Sequence, residues 1–200
     1  GANAQLSRAH VRAAEVEIAS ADLVLTQLET NLEAVDELKR LAKKHGKTLV
    51  VNPAPFGPVP EGFFEGVDVF TPNETEAEYY SGLAVNTEAD AAKAAEKMLE
   101  LGVKSVVITM GSRGAYCAGE DECGMVESPV VKAVDTVGAG DAFTGALCAK
   151  LAEGNKLMDA ARFAACFAAL AVTRKGACSA MPTREEAEVF QREFEATKHK

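Results

Sequence analysis

The sequence predicts an α/β protein: a mainly parallel sheet with helices on both faces, three layers in all. Three observations point there. Helical and strand patterns alternate along most of the chain. The strand segments are short apolar runs rich in β-branched residues, such as TLVVN (48–52) and SVVIT (105–109), which suits strands covered on both faces. The chain has 200 residues, 48% of them hydrophobic, enough for one well-buried core, and shows no repeat or clear linker. A single domain over 1–200 is the expectation.

The elements follow in order. Ser7 can cap a helix carrying Val11, Ala14, Val16 and Ile18 along one side. ADLVLTQL (21–28) reads as a buried strand. Thr30 with Glu33 forms a capping box for the next helix, whose inward stripe is Val35, Leu38, Leu41 and Ala42; Gly46 ends it. TLVVN is the second strand, PAPFGPVPEG (53–62) a proline-punctuated loop, and VDVFT (67–71) the third strand. Asn73 opens a short helix, and Thr87 another that stops near Gly102. After SVVIT, the segments GAYCA (114–118) and ESPVVKAV (127–134) flank the acidic turn GEDECG as a hairpin. Helices are predicted at about 141–153, 157–174 and 183–197.

The formal charge of −9 argues against broad contact with nucleic acid or an anionic membrane. Small ligands, neutral or metal-complexed, fit better. The five cysteines (Cys117, Cys123, Cys148, Cys166 and Cys178) form no CxxC and are odd in number, which reads as reduced thiols in a cytoplasmic protein. His10, His45 and His199 lie far apart and read as surface residues without zinc-ligand spacing. The most apolar run, FAACFAALAV, is about ten residues, too short to span a bilayer.

Chemistry concentrates in VDTVGAGDAFTGAL (134–147), a strand-like end, a turn stripped of side chains, and a helix with one acid at its entrance. A helix N-terminus offers amide donors and partial positive charge. Gly138, Ala139 and Gly140 would let an anion approach that backbone, with Asp141 beside it. The plainer reading is a glycine loop followed by an acid favoured in a first helical turn. Two better-known phosphate motifs are absent: no GxxxxGK[ST] occurs, and Phe143 stands where GxGxxG needs its third glycine. Phosphoryl transfer through a loose transition state depends on positioning and charge neutralisation, so Asp141 would orient a hydroxyl and accept its proton late.

DTVGAGDAFTGAL resembles the C-terminal signature of the ribokinase-like (PfkB) carbohydrate kinases. QLE (27–29), NPAP (52–55), TPNETEAE (71–78), ITMGSRGA (108–115) and VTRKGA (172–177) are similar to segments found in that family in the same order. Together they favour its ribokinase branch over fructokinases and adenosine kinases. The resemblance implies ATP-dependent phosphorylation of the 5-hydroxyl of D-ribose, with Asp141 as catalytic base and Gly138, Ala139 and Gly140 as anion hole. It implies that Asn73 and Glu76 organise phosphate and hydrated Mg²⁺, although Asn-x-x-Glu is also a capping pattern. Thr109, Gly111, Ser112, Arg113 and Gly114 match the ATP-binding segment; taken alone, GSRG is a tight turn. Glu29 matches a ribose-contacting carboxylate. Asp135, Val137, Ala171, Arg174 and Gly176 match an activating K⁺ site built mainly from backbone carbonyls. Ala180 stands where the family often carries a serine, with Ser179 one place earlier.

The opening GANAQLS is similar to an internal segment of the family. By that resemblance the chain is the C-terminal two-thirds of a longer protein, lacking a GGKGAN sugar motif, an early sugar-binding aspartate and a small β-sheet serving as lid and homodimer contact. Two other readings stay open: a different sugar or nucleoside kinase of the family, and a non-catalytic nucleotide-binding fragment.

Overall fold

The structure, a computed structural model, describes residues 1–120 and 122–198. Asp121, in the acidic turn, and His199, read above as a surface residue, lie outside the described residues. The chain gathers into two compact units, Gly1–Ile108 with Ala118–Glu120, and Thr109–Cys117 with Asp121–Lys200. Among the described residues, the hydrogen-bonded strand order is the chain order, in a mixed sheet of six strands that is mostly parallel with an antiparallel pair and flanked by helices.

In the first unit, β1 (Leu23–Thr26), β2 (Thr48–Val51), β3 (Val69–Phe70) and β4 (Ser105–Thr109, whose last residue groups with the second unit) run parallel. Thr26 pairs with Val51, Val51 with Phe70, and Phe70 with Val106. Leu49, Val50, Val51, Val106, Val107 and Ile108 are fully buried, which explains their unbroken apolar pattern. The helices of this unit are α1 (Arg8–Ala13), α2 (Glu15–Ser20), α3 (Leu32–Lys44), α4 (Glu74–Ser81) and α5 (Glu88–Glu100). Phe70 meets Phe64 and Tyr80 edge-on, with ring centroids 5.4 and 5.5 Å apart.

The second unit holds β5 (Ala115–Ala118, whose last residue groups with the first unit), β6 (Cys123–Val126), α6 (Ala139–Ala152), α7 (Leu157–Ala171) and α8 (Arg184–Lys198). Among the described residues no helix is long and apolar enough to cross a membrane.

Four local expectations need correction. The helix after Ser7 breaks at Ala14, whose ψ of 17° leaves the helical range, and Val16 is turned out to 77% exposure. The cap of α3 is Asn31, not Thr30, and its side chain points away: Asn31 Nδ2 donates to the Ala4 and Leu6 carbonyls at 2.8 and 3.1 Å. β3 has two residues rather than five. The second hairpin strand is Cys123–Val126; ESPVVKAV is irregular, with Val130 98% exposed, because apolar content without a pairing partner makes no strand.

The largest surprise is Glu37 on α3. Periodicity marks the α3 stripe as aliphatic, yet the Glu37 side chain is 0% exposed. Arg12 of α1 donates to both its oxygens, from Nε at 2.9 Å and Nη2 at 3.2 Å, and Arg40 Nη2 donates at 2.7 Å. Arg8 adds a longer pair at 3.8 Å. A buried charge survives only when paired in this way, so Glu37 fastens α1 onto α3. Hydrogen bonds from Arg12, then Arg40, hold its carboxyl at about 2, against an ordinary 4.5. A carboxyl with a depressed folded value stabilises the fold above its unfolded value and loses that contribution as pH falls. Glu37→Gln is therefore expected to lower the urea midpoint at pH 7, with the gap to the unsubstituted chain closing as pH falls from 4.5 toward about 2. An equal gap at pH 7 and at the acid end of that window would show that Glu37 does not act through its charge.

Candidate active site

The glycine turn lies in the second unit. Gly138 caps α6 with φ 78°, a left-handed conformation that side chains rarely adopt, and an added Cβ would meet the Ala177 Cβ at 3.3 Å. The helix starts at Ala139, earlier than the predicted 141. The Ala139 amide donates to the Thr136 carbonyl at 3.2 Å, and the Ala142 amide to Gly138 at 2.8 Å. Gly140 differs from Gly138: nothing lies within 4 Å of the position its Cβ would take. Neither backbone strain nor packing requires glycine there, so the bare surface is open space against a helix N-terminus. Asp141 is exposed in the same first turn, while Phe143 is buried. The site thus combines amide donors, positive helix-end potential and a carboxylate within three residues.

Behind the turn, Asp135 joins two loops. Its Oδ2 accepts from the Gly176 amide at 3.0 Å and its Oδ1 from the Val137 amide at 3.1 Å. These bonds, the Gly176 one foremost, hold its carboxyl below the usual carboxylate value. The Val134 and Asp135 amides both donate to the Val172 carbonyl, at 2.8 and 3.2 Å, and the Arg174 amide donates to Ala171 at 3.0 Å. The structure therefore brings Asp135, Val137, Ala171, Arg174 and Gly176 into one pair of adjoining loops rich in carbonyl oxygens. Carbonyls have two lone pairs, so Ala171 keeps acceptor capacity beyond its bond to Arg174. Such a donor set fits a large monovalent cation. Ser179 Oγ would lie 2.4 Å from a Cβ on Gly176, which puts that hydroxyl against the loop; Ala180 is 3% exposed. The Arg174 guanidinium is occupied elsewhere, donating to both Glu186 oxygens at 3.1 and 2.8 Å.

The turn after β4 also lies in this unit. Thr109 ends the strand, and Gly111–Arg113 form a single 3₁₀ turn closed by Met110 N donating to Gly114 O at 2.8 Å. Ser112 and Arg113 are exposed. Gly114 has a packing reason to be glycine: with φ 106°, its Cβ would fall 1.9 Å from the Val126 carbonyl oxygen.

Glu29, Asn73 and Glu76 belong to the first unit. Asn73 and Glu76 form a reciprocal capping box, Asn73 N donating to Glu76 Oε2 at 2.8 Å and Glu76 N to Asn73 Oδ1 at 2.9 Å. The capping reading of Asn-x-x-Glu is thus realised, and it leaves the phosphate reading open at an exposed helix start. Glu76 is 5% exposed, and burial raises its carboxyl above the usual value against the opposing Asn73 amide. One carboxylate beside an amide side chain suits Mg²⁺ that keeps its waters. Glu29 is exposed just past β1, and its Oε2 accepts from Asn3 Nδ2 at 3.1 Å. With 26 residues between them, no local pattern in the sequence links Asn3 to Glu29.

A profile of the pfkB family carbohydrate kinases matches residues 1–184. A ribokinase of Haemophilus influenzae is 40% identical over 186 residues, covering 93% of this chain and 61% of that protein. The crystal structure of a ribokinase from Thermotoga maritima superposes with TM-score 0.85 at 37% identity, covering 96% of this chain and 63% of that one. A ribokinase of Arabidopsis thaliana, solved with ribose and ATP, gives TM-score 0.85 at 30% identity, over 90% and 59%. The chain spans less than two thirds of the length of each of these relatives.

Gly140 and Gly114 make opposite predictions. Gly140→Ala adds a methyl to open space and a better helix former, so the melting temperature should hold or rise, by up to about 1 kcal/mol of stability. Gly114→Ala should destabilise severely, because backbone strain and a clash with backbone coincide. Thermal melts of both variants check this; equal effects would mean the open space at Gly140 is misassigned.

Proposed function

The chain belongs to the pfkB family carbohydrate kinases, and on that premise we propose that the whole protein is a ribokinase, moving the terminal phosphoryl group of ATP onto the 5-hydroxyl of D-ribose. The observation that carries this reading is the opening of α6. There, a left-handed glycine, an open glycine and an exposed carboxylate stand in one helical turn. Support for ATP and ribose as substrates comes from the relative solved with both.

Asp141 accepts a hydrogen bond from the sugar hydroxyl, aims its oxygen at the phosphorus, and takes the proton as the P–O bond forms. Amides of the Gly138–Gly140 turn donate to the charge gathering on the transferring group, aided by the helix dipole. Thr109 and the Gly111–Gly114 turn, with exposed Ser112 and Arg113, hold the nucleotide. Glu29 accepts from ribose hydroxyls. Asn73 and Glu76 would organise Mg²⁺ through its waters, and that ion neutralises phosphate charge when bound. The carbonyls around Asp135, Val137, Ala171, Arg174 and Gly176 would hold K⁺, which adds positive charge when bound. Asp135 itself keeps the two loops together.

In the full-length protein, Asp141→Asn should still bind ATP and lose turnover by about 10²–10⁴-fold, the usual contribution of a general base. Near-normal turnover would remove Asp141 from the mechanism. Gly140→Ala should lower the transfer rate without lowering the melting temperature. Activity should also fall when K⁺ is replaced by a bulky organic cation; equal rates in both would count against the carbonyl site. A substrate panel decides the acceptor, and preference for fructose or adenosine over ribose would overturn the substrate assignment.

A further inference from the structure

At the carboxyl ends of β1, β2 and β3, one side-chain amide bridges three strands. Asn52 directly follows β2. Its Oδ1 accepts from Gln27 Nε2 at 3.2 Å, and its Nδ2 donates to the Thr71 carbonyl at 2.8 Å and to Thr71 Oγ1 at 3.3 Å. Main-chain bonds flank it on both sides: Asn52 N donates to Thr26 O at 2.9 Å, Leu28 N to Ala54 O at 3.0 Å, and Thr71 N to Val51 O at 3.0 Å. Asn52 and Gln27 are half-buried and Thr71 is 1% exposed, so water competes weakly for these bonds.

The bridge stands where the ladder gives out. β3 pairs with β2 through Val69 and Phe70; past them a last main-chain bond runs from Thr71 N to Val51 O, and the Asn52 amide takes the Thr71 carbonyl. Its two partners are placed symmetrically along the chain. Gln27 is two residues before Glu29, and Thr71 is two residues before Asn73. The amide therefore ties the segment that presents Glu29 to the segment that opens the Asn73–Glu76 box.

We propose that Asn52 is a positioning residue, which sets the spacing between Glu29 and the Asn73–Glu76 pair without touching substrate itself. The proposal rests on the ribokinase reading above. Each half of the bridge can be cut separately. Gln27→Leu removes the donor to Oδ1 and loosens the Glu29 segment, while the Asn52 bonds to Thr71 stay in place. Asn52→Asp keeps the shape and the Gln27 bond, but turns an acceptor toward the Thr71 carbonyl and so disturbs the Asn73 side alone.

The test is steady-state kinetics of the full-length protein, with ribose binding measured by calorimetry in the absence of metal and nucleotide. Gln27→Leu is expected to raise the ribose KM and calorimetric Kd about tenfold, the scale of a small misplacement, and to leave half-saturation by Mg²⁺ unmoved. Asn52→Asp should do the reverse, and Asn52→Leu should raise both. Loss of folded protein would lower the apparent kcat and leave these constants unchanged, so a merely structural role is distinguishable. If Asn52→Leu does not fold, the other two variants carry the test. Constants unchanged in Gln27→Leu and Asn52→Asp, with the unsubstituted protein active on ribose, would overturn the Asn52 proposal alone. An unsubstituted protein without ribose turnover would overturn the ribokinase reading, and this proposal with it.

Discussion

Parallel strand pairing is the constraint on which the first unit depends. In a parallel sheet every strand ends at the same edge, so residues that follow β1, β2 and β3 gather there whatever their distance in sequence. Glu29, Asn52 and Asn73 are brought to that edge by register, with Thr26 opposite Val51 and Val51 opposite Phe70. The arrangement carries an electrostatic demand as well. Backbone groups past the strand ends need partners as the ladder tapers, and the Asn52 side chain takes the Thr71 carbonyl while the Asn73–Glu76 box takes the Asn73 and Glu76 amides.

The second unit solves a different problem: keeping a helix N-terminus bare. A first helical turn left uncapped by side chains exposes donors that normally find partners. Here Gly138 turns the chain left-handed into α6 and Gly140 leaves the space above it open. Rigidity comes from behind, where the Asp135 carboxylate holds the Gly176 and Val137 amides and Val172 takes two more. The two glycines at the helix entrance are thus backed by charge-assisted bonds, which are about twice as strong as neutral ones.

Structural and functional readings of one motif need not compete. Asn73 and Glu76 cap α4 through one oxygen each, and a carboxylate has a second oxygen for a hydrated ion. Gly114 runs the other way: the packing against the Val126 carbonyl fully accounts for its glycine, so its presence alone says little about nucleotide.

Features that depend on neighbours within one helical turn were legible from the residues alone. The Asn73–Glu76 box, the helix begun by Thr87 and the glycine entrance to α6 all belong here, because hydrogen bonds across three or four residues depend on local order; the strand SVVIT was legible instead from its run of β-branched residues. Tertiary structure alone decided what lies 19 to 41 residues apart. It buried Glu37 under Arg12, turned Asn31 from cap to clamp, set Asn52 between Gln27 and Thr71, and joined Asp135 to Gly176. A polar side chain is silent in sequence about which distant partner will satisfy it. Only packing, by excluding water around the group, makes that choice compulsory.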